Sequence, residues 1–222
     1  TRLVQDSKLD MAFVNGLVRN PKADSVRQVA AITVEAVHML VKQEFAEIVT
    51  SDLGRLGSLS CHVGPSGSET EMVSQAVLAF CGIEFNLIEE DRQTLGELLA
   101  KLDELDGAPS ERDAEVRETL PDVLFHVSTL PSALAQRLIH VGRYRLVPIP
   151  FVDAFSRITV EEEDLDRDHV DQVHAVPTVV PAYMYGASPP VPAVDCMTFG
   201  CPLILIAHQD VPAEVVSRLL PR

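Results

Sequence analysis

The sequence predicts an α/β protein built as two lobes, and three observations point that way. Short apolar runs alternate with segments of helical periodicity, the pattern of strand–helix–strand units. A Pro-rich, irregular return (PTVVPAYMYGASPPVP) interrupts the alternation from Pro177 onward. The chain has 222 residues, which suits one large domain or two lobes of roughly 100 residues each. The expected division puts residues 1–48 in a first lobe and 49–150 in a second, with 151–222 returning to complete the first. The apolar strands LDMAFV and LSCHV then belong to different sheets.

Residues 9–14 (LDMAFV) read as a buried strand, and 29–33 and 37–41 as two more. Residues 59–63 (LSCHV) form a strand that runs into the turn Gly64-Pro65-Ser66-Gly67. A helix is predicted over 68–80, with Met72, Val73, Ala76, Val77 and Phe80 in helical spacing and Gly82 as its stop. Residues 94–105 give a second helix, ended by the loop 106–110. Residues 123–127 (VLFHV) are strand-like, 131–140 helical, and 145–149 a short strand. The return reads as irregular, laid along a cleft or the surface. Late strands are expected at 194–198 and 203–207, and a closing helix at 213–220.

The formal charge is −15, from 18 basic and 33 acidic residues. Residues 89–118 and 153–174 carry −13 of it, and read as solvated surface. An acidic chain without a basic stripe excludes nucleic acid as partner, because phosphates need Lys and Arg counterions. With no Trp and 5% aromatic residues it also lacks a stacking platform. No signal peptide is recognisable, and no apolar run reaches the ~18 residues of a spanning helix. The chain opens TRLVQDS without Met, which reads as a mature product or a missing upstream part. Cys61, Cys81, Cys196 and Cys201 lack the CxxC spacing of zinc or redox sites and read as small buried apolar residues. A Cys196–Cys201 disulfide stays open for an exported protein.

The sharpest local feature is Gly64-Pro65-Ser66-Gly67-Ser68-Glu69-Thr70-Glu71. It leaves a strand, turns on two glycines and opens a helix, whose first N–H groups favour an anion. Ser66, Ser68 and Thr70 add hydroxyl donors. Ser68 with Glu71 is equally a capping box, which needs no ligand. Both readings stand on the turn alone. No Lys follows the second glycine, so it is not a P-loop.

In context, VTSDLGRLGSLSCHVGPSGSETEMVSQAVLAFCGI resembles the strand, GP-x-GSGT turn and helix of the TAXI class of TRAP-transporter solute-binding proteins. LDMAFVNG is similar to a family strand and its ligand-facing turn, and VRQVAAITVEAVHMLVKQE to the paired strands that cross toward the second lobe. LPDVLFHVSTLPSALAQRLI and the section from Val176 to Leu220 also resemble family segments, so the likeness covers most of the chain. The family's opening strand is expected upstream of Thr1. Its GSGT reads Gly67-Ser68-Glu69-Thr70 here, which puts a carboxylate where an anionic ligand is expected. Were Glu69 to fold back on the turn's donors, anion binding would be weak. Residues 103–120 and 159–174 look like polar insertions.

The resemblance implies a type II periplasmic-binding-protein fold with an incomplete first lobe. It further implies a periplasmic or extracytoplasmic protein that captures a small organic acid or amino acid between its lobes and delivers it to a TRAP-type membrane permease. The ligand-binding candidates lie at strand exits: Asn15 and Gly16; Ser66, Gly67, Ser68 and Thr70; and Ser128, Thr129 and Pro131. Tyr183 and Tyr185 could join from the return. A ligand-sensing module on the same fold is the alternative. No enzyme, cofactor or metal is expected: the seven histidines are scattered, and neither HExxH nor GxSxG occurs. His62 and His126 are read as pocket-lining or core residues. An unpaired apolar edge beside residues 9–14 is expected to be covered, with a second copy of the chain as the first choice.

Overall fold

The computed structural model describes residues 4, 6, 8–16, 25–84, 93–107, 112–155 and 175–218. Its strands are β1 (Met11–Asn15), β2 (Val26–Lys42), β3 (Cys61–His62), β4 (Val123–Ser128), β5 (Tyr144–Leu146), β6 (Val176–Val180), β7 (Gly186–Ala187), β8 (Pro190–Val191) and β9 (Cys196–His208). Seven of them form one mixed sheet in the order β1-β9-β2-β4-β3, with β5 added to β2 and β6 to β9. β7 and β8 make a small separate hairpin. The α/β class read from the alternation is present. The separation of LDMAFV and LSCHV into different sheets is not, because β1 and β3 lie in the same one.

The reason is β2. Where the apolar pattern suggests two strands, a single strand of 17 residues runs through and changes partner in its middle. Residues 26–36 pair with β9, with two register shifts before Thr33, and residues 36–41 pair with β4. β5 then takes the edge that β9 has left, with Leu40 opposite Leu146. β9 likewise merges the two late strands of the sequence reading. It pairs with β6 through residues 196–200 and with β1 through 203–207. Pro202 suggests a break there, since proline has no N–H for a ladder. It falls between the two partners on that edge, and its carbonyl still accepts the Gly16 N–H at 2.6 Å. The strand passes uninterrupted.

The helices are α1 (Gln43–Ser51), α2 (Glu69–Phe80), α3 (Leu95–Leu105), α4 (Asp113–Glu118), α5 (Ala133–His140) and α6 (Ala213–Ser217). α2 begins where its cap predicts: the Ser68 hydroxyl accepts the Glu71 N–H at 3.2 Å. Thr94 and Glu97 close a full capping box on α3. α5 is capped by Ser132, just past Pro131. α1 and α4 have no counterpart in the sequence reading. The proposed insertion at 159–174 and the end of the closing helix lie outside the described residues.

Alternate residues of β2 and β4 face opposite sides of the sheet, and both sides are covered there. Val37, Met39, Val41, Val123 and Phe125 meet Val49, Val73, Val77, Leu78, Ile149 and Phe199 on one side. Phe80 stacks on Phe151 at 4.4 Å beside them. Ala36, Leu40 and Leu124 meet Leu98, Leu102, Ala135, Leu138 and Tyr144 on the other. Asp122 fixes the register between the strands: its carboxylate takes the Lys42 ammonium at 2.9 Å and the Ser60 N–H at 3.1 Å.

All four cysteines are free thiols. Cys196 and Cys201 sit five apart on one strand, so their side chains enter opposite cores and cannot pair. That corrects the disulfide option. Among the described residues no helix is long and apolar enough to cross a membrane.

Candidate functional site

Two of the three strand exits singled out in the sequence meet in space. Asn15 ends β1 and donates its side-chain amide to the Glu69 carboxylate at the start of α2. The two residues are 54 apart in sequence, so this contact joins the first strand to the Gly-Ser turn. Glu69 also accepts from the Cys201 thiol of β9 and faces Glu35 of β2. Four segments thus converge on one half-buried carboxylate. Burial is the first cause that pushes the Glu69 carboxyl up to about 7, and the Glu35 charge adds to it. The Asn15 and Cys201 hydrogen bonds pull the other way. Burial raises Glu35 as well, and lifts the Cys201 thiol far above its ordinary range, with the Glu69 charge second.

The turn itself is built as the glycines predict. Gly64 has φ +89°, and a Cβ there would lie 2.7 Å from that of Thr70. Only glycine lets the strand close down on the first turn of α2. Gly67 donates its N–H to the Glu71 carboxylate at 2.6 Å, and Ser68 caps Glu71. It is therefore Glu71, and not Glu69, that folds back on the turn's donors. The Ser68 cap is present, but the reciprocal half of the expected capping box is not, because Glu71 takes the N–H of Gly67 and not that of Ser68. Ser66 and Gly67 stand exposed at the tip, while Thr70 is half-buried against Gly64. Gly16 follows Asn15 with its N–H bound to Pro202.

The third exit lies across the sheet from these. Ser128 ends β4 opposite Ala36, on the face that carries Leu124, whereas Glu69 and Cys201 belong to the face of Met39 and Phe199. The Ser128 hydroxyl is buried, with no hydrogen-bond partner among the described residues. Thr129 is exposed, and Pro131 follows a cis peptide bond.

Tyr185 differs from its expected role. It is 2% exposed, and its hydroxyl lies 2.5 Å from His38 Nε2 and accepts the Ser132 N–H at 3.2 Å. A phenol held in this way is part of the core and does not reach into a cleft. Tyr183 is exposed, with φ 67°.

His38 and His126 stand directly opposite on β2 and β4, their rings 5.9 Å apart, and His62 lies near His126. His62 and His126 stand out in the sequence beside candidate turns, whereas His38 joins them only through the strand register, which reveals the row. Desolvation lowers His38 to about 4. The same burial, with His38 and then His62 adding repulsion, lowers His126 to about 4. Among the described residues no group of three His, Cys, Asp or Glu side chains has metal-binding geometry.

Two surface cavities lie elsewhere. One of about 520 Å³ is lined by Asp10, Met11, His208, Asp210, Val211 and Pro212. Another of about 480 Å³ lies between Gln43, Glu44, Glu47, Arg143 and Arg145. No protein-family model matches the chain, and no curated protein sequence matches it.

Proposed function

We propose that the chain is a solute-binding module of the type II periplasmic kind, in which β2 joins the two expected lobes into one continuous sheet. The observation that carries this reading is the Asn15–Glu69 contact, which joins the exit of β1 to the Gly-Ser turn. Ligands of α/β proteins sit where strands end and helices begin, and this contact closes such a place. The ligand is a small amino acid or organic acid. Glu69 and Glu35 favour one that carries an ammonium group, since the turn's Gly67 N–H is already taken by Glu71. In this reading the module works outside the cytoplasm and passes its ligand to a TRAP-type membrane permease. A second copy pairing along the outer edge of β1 belongs to the same reading, because among the described residues no strand covers that edge. Solution mass checks it, and a monomer at high concentration refutes it.

Isothermal titration of the purified chain with a panel of amino acids and dicarboxylates tests the function. At least one amino acid is expected to bind saturably, with affinity lowered about tenfold or more in Asn15→Ala, which releases the Glu69 carboxylate from the position Asn15 holds it in. If no member of either class gives a binding heat or raises the melting temperature, the reading is wrong.

A further inference from the structure

His38 sits fully buried in the middle of the described core, and its two ring nitrogens have different partners. Nδ1 lies 3.2 Å from the His126 carbonyl, and a carbonyl can only accept. Nδ1 therefore carries the proton, and Nε2 is the bare acceptor. Tyr185 must then donate its O–H to Nε2 at 2.5 Å. The phenol oxygen in turn accepts from the Ser132 N–H at the start of α5. Every donor in this chain has one acceptor, so the neutral network is complete.

The element so fastened is the return from Pro181 to Asp195. Tyr185 N–H binds the Val191 carbonyl at 2.8 Å and Tyr183 N–H the Pro192 carbonyl at 3.0 Å, which makes the segment a small unit of its own. His140 of α5 adds a bond from its Nε2 to the Tyr185 carbonyl at 2.7 Å. Nε2 is already the donor there, so adding a proton to that ring leaves this bond intact.

We propose that the His38–Tyr185–Ser132 chain is an acid-sensitive latch that holds residues 181–195 against β2 and α5. A proton added at His38 Nε2 turns the acceptor into a donor. The Tyr185 oxygen then faces two donors, and among the described residues its own hydrogen has no other acceptor in a buried site. The groups facing His38 reinforce the effect. His126 on β4 is a further base that turns cationic, with His62 on β3 facing it, and among the described residues no carboxylate is a partner of His38 to neutralise the charge. Burial, which lowers His38 to about 4, keeps the latch shut at neutral pH.

Amide exchange by NMR, corrected for intrinsic rates, reads the latch at Ser132 and at 182–185. In the wild-type chain these amides are expected to open faster by roughly tenfold per pH unit between pH 6.5 and 4, one proton per opening. His38→Gln, which accepts from Tyr185 without titrating, should flatten that slope. Tyr185→Phe should open the same amides at pH 7. A wild-type profile without slope overturns the proposal, as does a His38→Gln profile as steep as the wild type. So does an opening of Ser132 and 182–185 no faster, across this pH range, than that of residues 123–128 of β4, which reports loss of the whole core. Should His38→Gln fail to fold, the ring signals of His38 in the wild type decide. Their titration must coincide with the opening of Ser132, and a titration that trails it contradicts the latch.

Discussion

From Ala36 to Val41 every residue of β2 is buried, whereas Arg27, Gln28 and residues 31–34 of the same strand are exposed. Both halves are paired, the first with β9 apart from the irregularities at Val29 and Ile32, and the second with β4. Hydrogen-bonded pairing is thus common to the two, and cover is not. The second half is sandwiched by α2 on one side and by α3 and α5 on the other. Along the first half, Ile32 and Val34 are exposed, as is Phe13 of β1, at 64%. Ladder bonds largely replace bonds to water and contribute about 1 kcal/mol each, while burial of a large apolar side chain contributes about 1.5–3 kcal/mol. Stability should therefore be concentrated in the second half.

The largest expected effect contrasts two phenylalanines. Phe125→Ala, in the covered half, should cost about 3–5 kcal/mol in urea unfolding. Phe13→Ala should change stability by less than about 0.5 kcal/mol, as for exposed positions. Equal losses would break the comparison.

The two regions also answer pH in opposite directions. His38 is lowered to about 4 from 6.5, so its contribution is present above pH 6.5 and lost as pH falls toward 4, about 3 kcal/mol in all. His126 titrates in the same direction. Glu69 is raised from 4.5 to about 7, so its contribution is complete below pH 4.5 and lost as pH rises through 7. His38→Gln should flatten the acid limb of the stability profile. Glu69→Gln should flatten the limb near neutrality, by less, because that carboxyl is only half-buried. Unfolding midpoints from pH 4 to 8.5 check both, and a variant that keeps its wild-type limb refutes the assignment. Smallest is a surface cap: Thr94→Ala should cost about 1 kcal/mol, from the box that starts α3.

Much of the covered half is legible in the sequence. Ser68, Thr94 and the segment after Pro131 mark helix starts, and VLFHV marks β4 within a residue. The long strands are not, because their apolar pattern changes where the partner changes. Val-Glu-Ala at 34–36 breaks the run in β2, and Gly-Cys-Pro at 200–202 breaks it in β9. Gly200 is required for a contact no periodicity reveals: a Cβ there would lie 2.5 Å from atoms of Thr178 and Val34. The site was legible in pieces. Strand exits identify Asn15 and the turn, but Glu35 and Cys201 join them only through pairing across β2 and β9. The same limit hid His38, and with it the true environment of Tyr185.

The most direct test is hydrogen exchange along β2 at neutral pH, resolved on either side of Ala36. If cover sets stability, amides of 37–41 should exchange only through global unfolding. Those of 27–34 should exchange at least about a hundredfold faster, a local opening roughly 3 kcal/mol cheaper. Uniform protection along the strand would contradict the account.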